Sequence, residues 1–356
     1  MILTRYIMRA YLLRFAALLV GLVVFLQTLD LLAEANAVLA GGGPPVLTLL
    51  RYVALRSPSL AETIAPLAGL LAALLALVAM ARNSEILAMR AAGRSVFSLI
   101  GGLVACGFGL SLLFFVFTEY VEVPANSALQ DWKDSGYKTD GHVDTGEGSW
   151  LVEGDTYIRV AHVMREGTVL NDVRVFKQGA DASIVDIIGV RLAIWENDHW
   201  TTFDVKRLGG TTIDTTPPVW NTQLKPDQFL RFANHPDELS MNALKEYVGN
   251  VAVGSRPPYF YDTWLQQKIA GPMVLALMPL LAALAAFAHH RQGTPVMTIV
   301  WGVTFGFMFV VIDNILLAMG QFGSLPPLLA AWLPLALFTT AGVWVLFTFE
   351  HTGART

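Results

Sequence analysis

The chain has 356 residues, of which 54% are hydrophobic and 15% charged. Soluble domains carry about 25% charged residues. The proportions therefore exclude a disordered or nucleic-acid-binding chain and argue against a cytosolic globule. The net charge of −4 is divided unevenly: residues 121–262 hold 13 Lys/Arg against 21 Asp/Glu, and the remainder holds 11 against 7. An acidic insert of 142 residues, long enough to bury a core, thus lies inside a weakly basic, apolar frame. Cys106 is the sole cysteine, so no internal disulfide or multi-cysteine metal site can form. An insert outside the cytoplasm must then fold on its core alone, as in a bacterial-type envelope protein.

A membrane-spanning helix needs about 20 predominantly apolar residues. Long stretches almost free of charge predict six, at about 11–33, 60–81, 96–118, 266–288, 297–319 and 328–349. The last two are separated by Gly320-Gln321-Phe322-Gly323 and Pro326-Pro327, which read as a turn. Arg5, Arg9 and Arg14, then Arg82, Arg90 and Arg94, then Arg291 and Arg355 fall on one side. The opposite short loops hold Arg51 and Arg56. The positive-inside rule places both termini in the cytoplasm and the insert outside. A cleaved leader ending near Ala33-Glu34-Ala35 is the less favoured reading of the first span.

Within the insert, β-branched and aromatic runs predict strands at 150–152, 156–164, 169–177, 183–188, 190–196 and 199–206. Turns every 8–12 residues suggest a sandwich, jelly roll or open barrel. A short helix is expected over Ser240–Gly249, with Ser240 as its cap.

The sequence contains no GxxxxGK[ST], HExxH or GxSxG motif, so it supplies no phosphate loop and no hydrolase signature. Neighbouring helical residues point about 100° apart, so His289-His290 make a poor metal pair. Between the second and third spans, Ser84 suits a helix start, Glu85 its positive end, and Gly93 its stop. A short helix here, with Ile86, Leu87 and Met89 apolar, fits either a docking element or an interfacial helix. Polar residues in spans are costly. Gln27, Asp30 and Glu34 near the outer end of the first span, and Asp313 and Asn314 in the fifth, are candidates for a polar cavity wall or for partner contacts. Arg51 and Arg56 are either interfacial anchors or ligands for an anionic headgroup.

Several segments, in their order, resemble the LptF/LptG permease family. Leu3-Thr4-Arg5-Tyr6-Ile7 is similar to its amino end. Residues 65–71, Ser84-Glu85-Ile86 and Ala91-Ala92-Gly93 resemble its second span and coupling loop. Residues 220–227 resemble the end of its inserted domain. Residues 302–307 with Asp313, Pro326-Pro327 and Trp332-Leu333-Pro334 look closer to the LptG branch than to the LptF branch.

The resemblance implies an α-helical membrane protein with six transmembrane helices and an inserted all-β, jelly-roll-like periplasmic domain. The expected divisions are 1–120, 121–262 and 263–356. It further implies one permease half of an inner-membrane ABC transporter that exports lipopolysaccharide. LptF would be the other half, two LptB copies would carry ATP and Mg, and LptC would be a further partner. This chain itself would bind no cofactor. The 83–93 segment would dock on the ATPase through Ser84, Glu85, Ile86, Leu87, Met89 and Arg90, with Glu85 matching the family's acidic contact. The expected substrate cavity is lined from the first span by Gln27, Asp30, Leu31 and Glu34, and from the fifth by Phe305, Phe309 and Asp313. The family's outer-end lysines have no counterpart between Leu31 and Ala40, which moves the expected headgroup contact to Arg51, Arg56 or Lys133. The rival readings are the LptF paralogue, a non-transporting envelope scaffold, a proton-coupled transporter using Asp313 and, least favoured, an intramembrane hydrolase.

Overall fold

Proline placement sets several helix starts in this computed structural model, because a residue in the first helical turn needs no amide hydrogen. The described residues are 2–85, 88–89, 96–134, 136–137, 149–153, 155–164, 167–179, 183–196, 198–208, 219–220, 222, 224–226, 229, 239–249, 257–288 and 295–353. The helices are α1 (Ile2–Ala40), α2 (Pro45–Arg82), α3 (Val96–Phe117), α4 (Val123–Asp134), α5 (Met241–Gly249), α6 (Pro258–Ala288), α7 (Pro295–Gln321) and α8 (Pro327–Gly353). Pro45, Pro258, Pro295 and Pro327 each open one. A π-helical turn, Thr118–Glu122, joins α3 to α4.

Six of these helices are long and apolar enough to cross a membrane. The expected span 11–33 is the apolar middle of a helix of 39 residues, and 60–81 is the C-terminal part of a helix of 38 residues. The charged ends that marked their limits in the sequence are helical as well. α1 stops at Gly41-Gly42-Gly43, where Gly42 and Gly43 take positive φ of 81° and 130°.

The chain divides into two compact units. Unit 1 comprises Met1–Asp30, Arg56–Glu122 and Asp262–Thr356; unit 2 comprises Leu31–Leu55 and Val123–Tyr261. The ends of the first two long helices therefore group with the insert.

Unit 1 is the helical bundle. Its core gathers Ile7, Tyr11 and Phe15 of α1, Leu70, Leu74 and Leu77 of α2, Leu103 of α3, Met278 and Leu281 of α6, Phe309 of α7 and Phe338 of α8. Close approach depends on missing side chains, as is usual between helices in lipid. A Cβ on Gly302 would lie 2.5 Å from both methyls of Leu74, and one on Gly306 would collide with Leu70. These two glycines stand one turn apart on α7, and the leucines one turn apart on α2, so the helices meet along one seam. On α8, Gly342 makes the same allowance for Leu280 of α6.

In unit 2, β1 (Ser149–Glu153), β2 (Thr156–Met164), β3 (Val169–Gln178), β4 (Ile184–Glu196), β5 (His199–Leu208) and β6 (Val219–Trp220) form one antiparallel sheet in sequential order. This is a meander: among the described strands no crossover of the jelly-roll kind occurs. The strands expected at 183–188 and 190–196 are one strand. Gly189, which reads as a separator, pairs with Arg174 on one side and Lys206 on the other, so the ladder runs through it.

The sheet's buried face packs Ile158, Val173 and Trp200 with Leu224 and Phe229. Trp200 donates its indole N–H to the Leu224 carbonyl at 2.8 Å, and Thr222 donates to Glu153 at 2.7 Å. The backbone of Pro226 runs so close to Gly167 that no Cβ fits there. These contacts give the described residues of the 220–227 motif a physical role: Thr222, Leu224 and Pro226 strap β1, β5 and the β2–β3 turn. Asn221, Gln223 and Asp227 of that motif lie outside the described residues. Helix α5 is close to the helix expected over Ser240–Gly249, and Ser240 accepts its first backbone bond, from Leu244 N at 3.0 Å.

Replacing Gly306 with leucine forces Leu70 out of place and is expected to destabilise the bundle by about 1–3 kcal/mol. Thermal unfolding in detergent checks this; an unchanged midpoint contradicts the tight seam.

Candidate functional site

The segment after α2 is held at both ends of its described part. Ser84 adopts φ of 55° and donates its N–H to Ala81 O at 3.1 Å, ending α2. Its carbonyl then accepts from Ala88 N at 3.0 Å and begins the next turn. Ser84 is thus both the stop of one helix and the start of another. Glu85 Oε1 accepts from Asn83 Nδ2 at 3.3 Å and from Tyr6 OH of α1 at 3.4 Å. Met89 is half-buried against the bundle core. Ile86, Leu87 and Arg90, and the stop at Gly93, lie outside the described residues.

At the other end of unit 1, the polar residues expected on a cavity wall have specific places. Gln27 is 6% exposed, and neither atom of its amide meets a partner among the described residues. One turn on, Asp30 pairs with Arg56 at 3.3 Å, joining α1 to α2. Arg56 is therefore already engaged by an acid of its own chain. Asp313 is half-buried and hydrogen-bonds the Gln267 side chain of α6. Asn314 donates to Val310 O at 2.8 Å and is satisfied within α7. Phe305 is half-buried against Trp301. Phe309 is 1% exposed and meets Phe338 edge-on within the bundle core.

Sequence reading missed the polar side of α6. Gln266 accepts from Trp332 Nε1 at 3.3 Å, Gln267 reaches Asp313, and Lys268 pairs with Glu119 at 4.0 Å. Three consecutive residues point about 100° apart, so each serves a different neighbour. The polar run Gln266-Gln267-Lys268, on the edge of a predicted span, was the available signal.

In unit 2, the helical pieces form a separate small core of Val38, Tyr52, Leu129, Trp132 and Tyr137, with Leu31 packed partly against it. Glu34 accepts from Lys133 Nζ at 3.1 Å on one carboxylate oxygen and from Tyr137 OH at 3.3 Å on the other. Arg51 stacks with its guanidinium 4.6 Å from the Trp132 ring centre. Two positive-φ residues, Gly136 and Tyr137, turn the chain back at the end of α4 and present the tyrosine to this cluster. Gly41 has no room for a Cβ beside the Tyr137 backbone. Thus Arg56 and Lys133 each face an acid, and Arg51 faces an aromatic ring. Charge pairing across 99 residues has no local signature, so Glu34–Lys133 was not legible as a pair.

If the Asp30–Arg56 contact holds α1 to α2, Asp30→Asn and Arg56→Gln together cost less than the sum of the two alone. The expected coupling is about 1 kcal/mol, read from unfolding midpoints of the three variants in detergent. Additive losses remove this role.

The lipopolysaccharide export system permease LptF/LptG family matches residues 5–348. The chain is 24% identical over 336 residues to the lipopolysaccharide export system permease protein LptG of Escherichia coli strain K12, covering 92% of this chain and 91% of that protein. The protein of the same name from Haemophilus influenzae is 25% identical over 302 residues, covering 83% and 84%. Both relatives bear the LptG name, in line with the fifth-span and Pro326-Pro327 motifs. A match that takes in all six apolar helices and the inserted sheet settles the kinship: the chain belongs to the LptF/LptG family of lipopolysaccharide export permeases.

Proposed function

We propose that the chain is the LptG-type permease subunit of a transporter that extracts lipopolysaccharide from the inner membrane and passes it to a periplasmic bridge. The observation that carries this reading is the family match over residues 5–348, which spans both the helical frame and the insert. LptF is the expected second half, two LptB copies supply ATP hydrolysis with Mg, and LptC is a further partner. The six apolar helices make the chain a multi-pass membrane protein. Its arginine distribution supports cytoplasmic termini and a periplasmic β unit.

The helices with the most exposed apolar windows support the choice of cavity wall. Only 11% of the α1 window and 17% of the α7 window is buried, against 67% for α6. Val20, Val24, Phe25 and Leu29 on α1, and Val303, Phe307 and Val310 on α7, are open. In a membrane such faces meet lipid, a partner helix or the acyl chains of a substrate, where many weak dispersion contacts add up. The rim is different. An anionic headgroup wants cations, and Arg51, Arg56 and Lys133 are each engaged already by a ring or an acid of this chain. On this reading LptF and LptC supply more of the positive charge.

The ATPase contact is assigned to the segment that opens at Ser84, with Glu85 as its acidic ligand. Affinity purification in mild detergent, with mass spectrometry of protein and lipid, is expected to recover LptB, LptF and lipopolysaccharide with this chain. Recovery of envelope proteins without an ATPase would instead favour a scaffold. Glu85→Lys reverses the docking charge and is expected to uncouple ATP hydrolysis from export; normal growth and transport in that variant would exclude the assignment.

A further inference from the structure

We infer that Tyr6 is a positioning residue for energy coupling, tying the docking acid Glu85 to α1. This rests on the reading of the chain as a permease half driven by a separate ATPase.

The hydroxyl of Tyr6 donates to Glu85 Oε1 across 79 positions of sequence. It is the direct polar link, among the described residues, between the first turns of α1 and the start of the coupling segment. Asn83 holds the same oxygen locally. The acid thus has one partner in its own turn and one on another helix, and no hydrogen bond to Oε2 appears among the described residues. A carboxylate so arranged can accept a cation from a docked partner on Oε2 while Oε1 stays fixed.

What lies behind Tyr6 gives the link its use. The next residue, Ile7, is 2% exposed, and Tyr11 and Phe15, each one turn further along, are 0% and 4% exposed. All three sit in the same core as Leu77 and Met80 of α2, close to the turn that carries Glu85. The start of α1 is therefore firmly seated, whereas its apolar window is the least buried in the bundle. A displacement of the coupling segment reaches α1 through the Tyr6–Glu85 bond and through Met89, which packs on the same core. It does not have to travel along α2 alone. Tyr6 lies half outside the bundle, at 51% exposure, and its ring does little for the core, so the hydroxyl rather than packing accounts for its role.

The test uses the full complex of this chain with LptF, LptC and LptB in proteoliposomes, with purified lipopolysaccharide, and reads lipopolysaccharide released per ATP hydrolysed. Tyr6→Phe removes the hydroxyl alone and is expected to lower that ratio by about fivefold, the scale of one lost hydrogen bond. Tyr6→Phe keeps the ring, so the unfolding midpoint of the chain in detergent is expected to match the wild type. A Tyr6 that merely supports the fold would lower that midpoint together with the ratio, which overturns the inference, as does an unchanged ratio. A wild-type complex with no ATP-driven release would overturn the functional reading instead, which separates the two failures.

Discussion

Helices that already lie in lipid gain little from burying apolar surface against one another, so close contact itself must hold them together. In this bundle close contact depends on glycine. Gly302 and Gly306 let α7 lie directly on Leu74 and Leu70 of α2. The consequence reaches beyond stability. α7 is seated on α2 along this seam and on α8 through Phe309, while Val303, Phe307 and Val310 on its remaining face stand open. A helix packed by large side chains all round would have no wall to offer. The motif at residues 302–307 therefore serves packing through its glycines and exposure through the residues between and after them.

The same environment governs the charges. An ionisable group in or near a bilayer has to find a partner, and this chain places acids where cations wait. Asp30 takes Arg56, Glu34 takes Lys133, and Glu119 takes Lys268. Two of these acids are on α1, in the stretch where the family resemblance led one to look for lysines. Pairing leaves Arg56, Lys133 and Lys268 each beside an acid of the same chain.

Much of the frame was legible because its signals are local. Long apolar runs give the spans, and β-branched runs between Gly, Asn and Asp give the strands. The limits of those signals are physical as well. Hydropathy reports where a helix is apolar, so it sets the end of α1 at about residue 33, although the helix continues to Ala40 past Glu34, which Lys133 and Tyr137 of its own unit hold. Gly189 looked like a break, but a ladder on both sides carries a strand through a glycine. The sequential order of the six strands was hidden too, since alternation tells which face a residue takes and not which strand lies beside it. The site residues were named one by one from composition and resemblance. Their pairings, such as Tyr6 with Glu85 and Tyr137 with Glu34, join residues 79 and 103 positions apart, and no period in the sequence records them.

The helices differ in how far the bundle encloses them. α6 is the most enclosed, and its Gln266, Gln267 and Lys268 grip α8, α7 and the π-helical turn at once. Shifting it would disturb three polar contacts together. α1 makes the opposite bargain. Past its seated first turns it presents an open apolar face, and beyond the buried Gln27 the Asp30–Arg56 pair ties it to α2. On the proposed reading, a rearrangement that begins at the segment after α2 meets least resistance along the open α1 and most at α6, whose contacts to three neighbours would all have to yield.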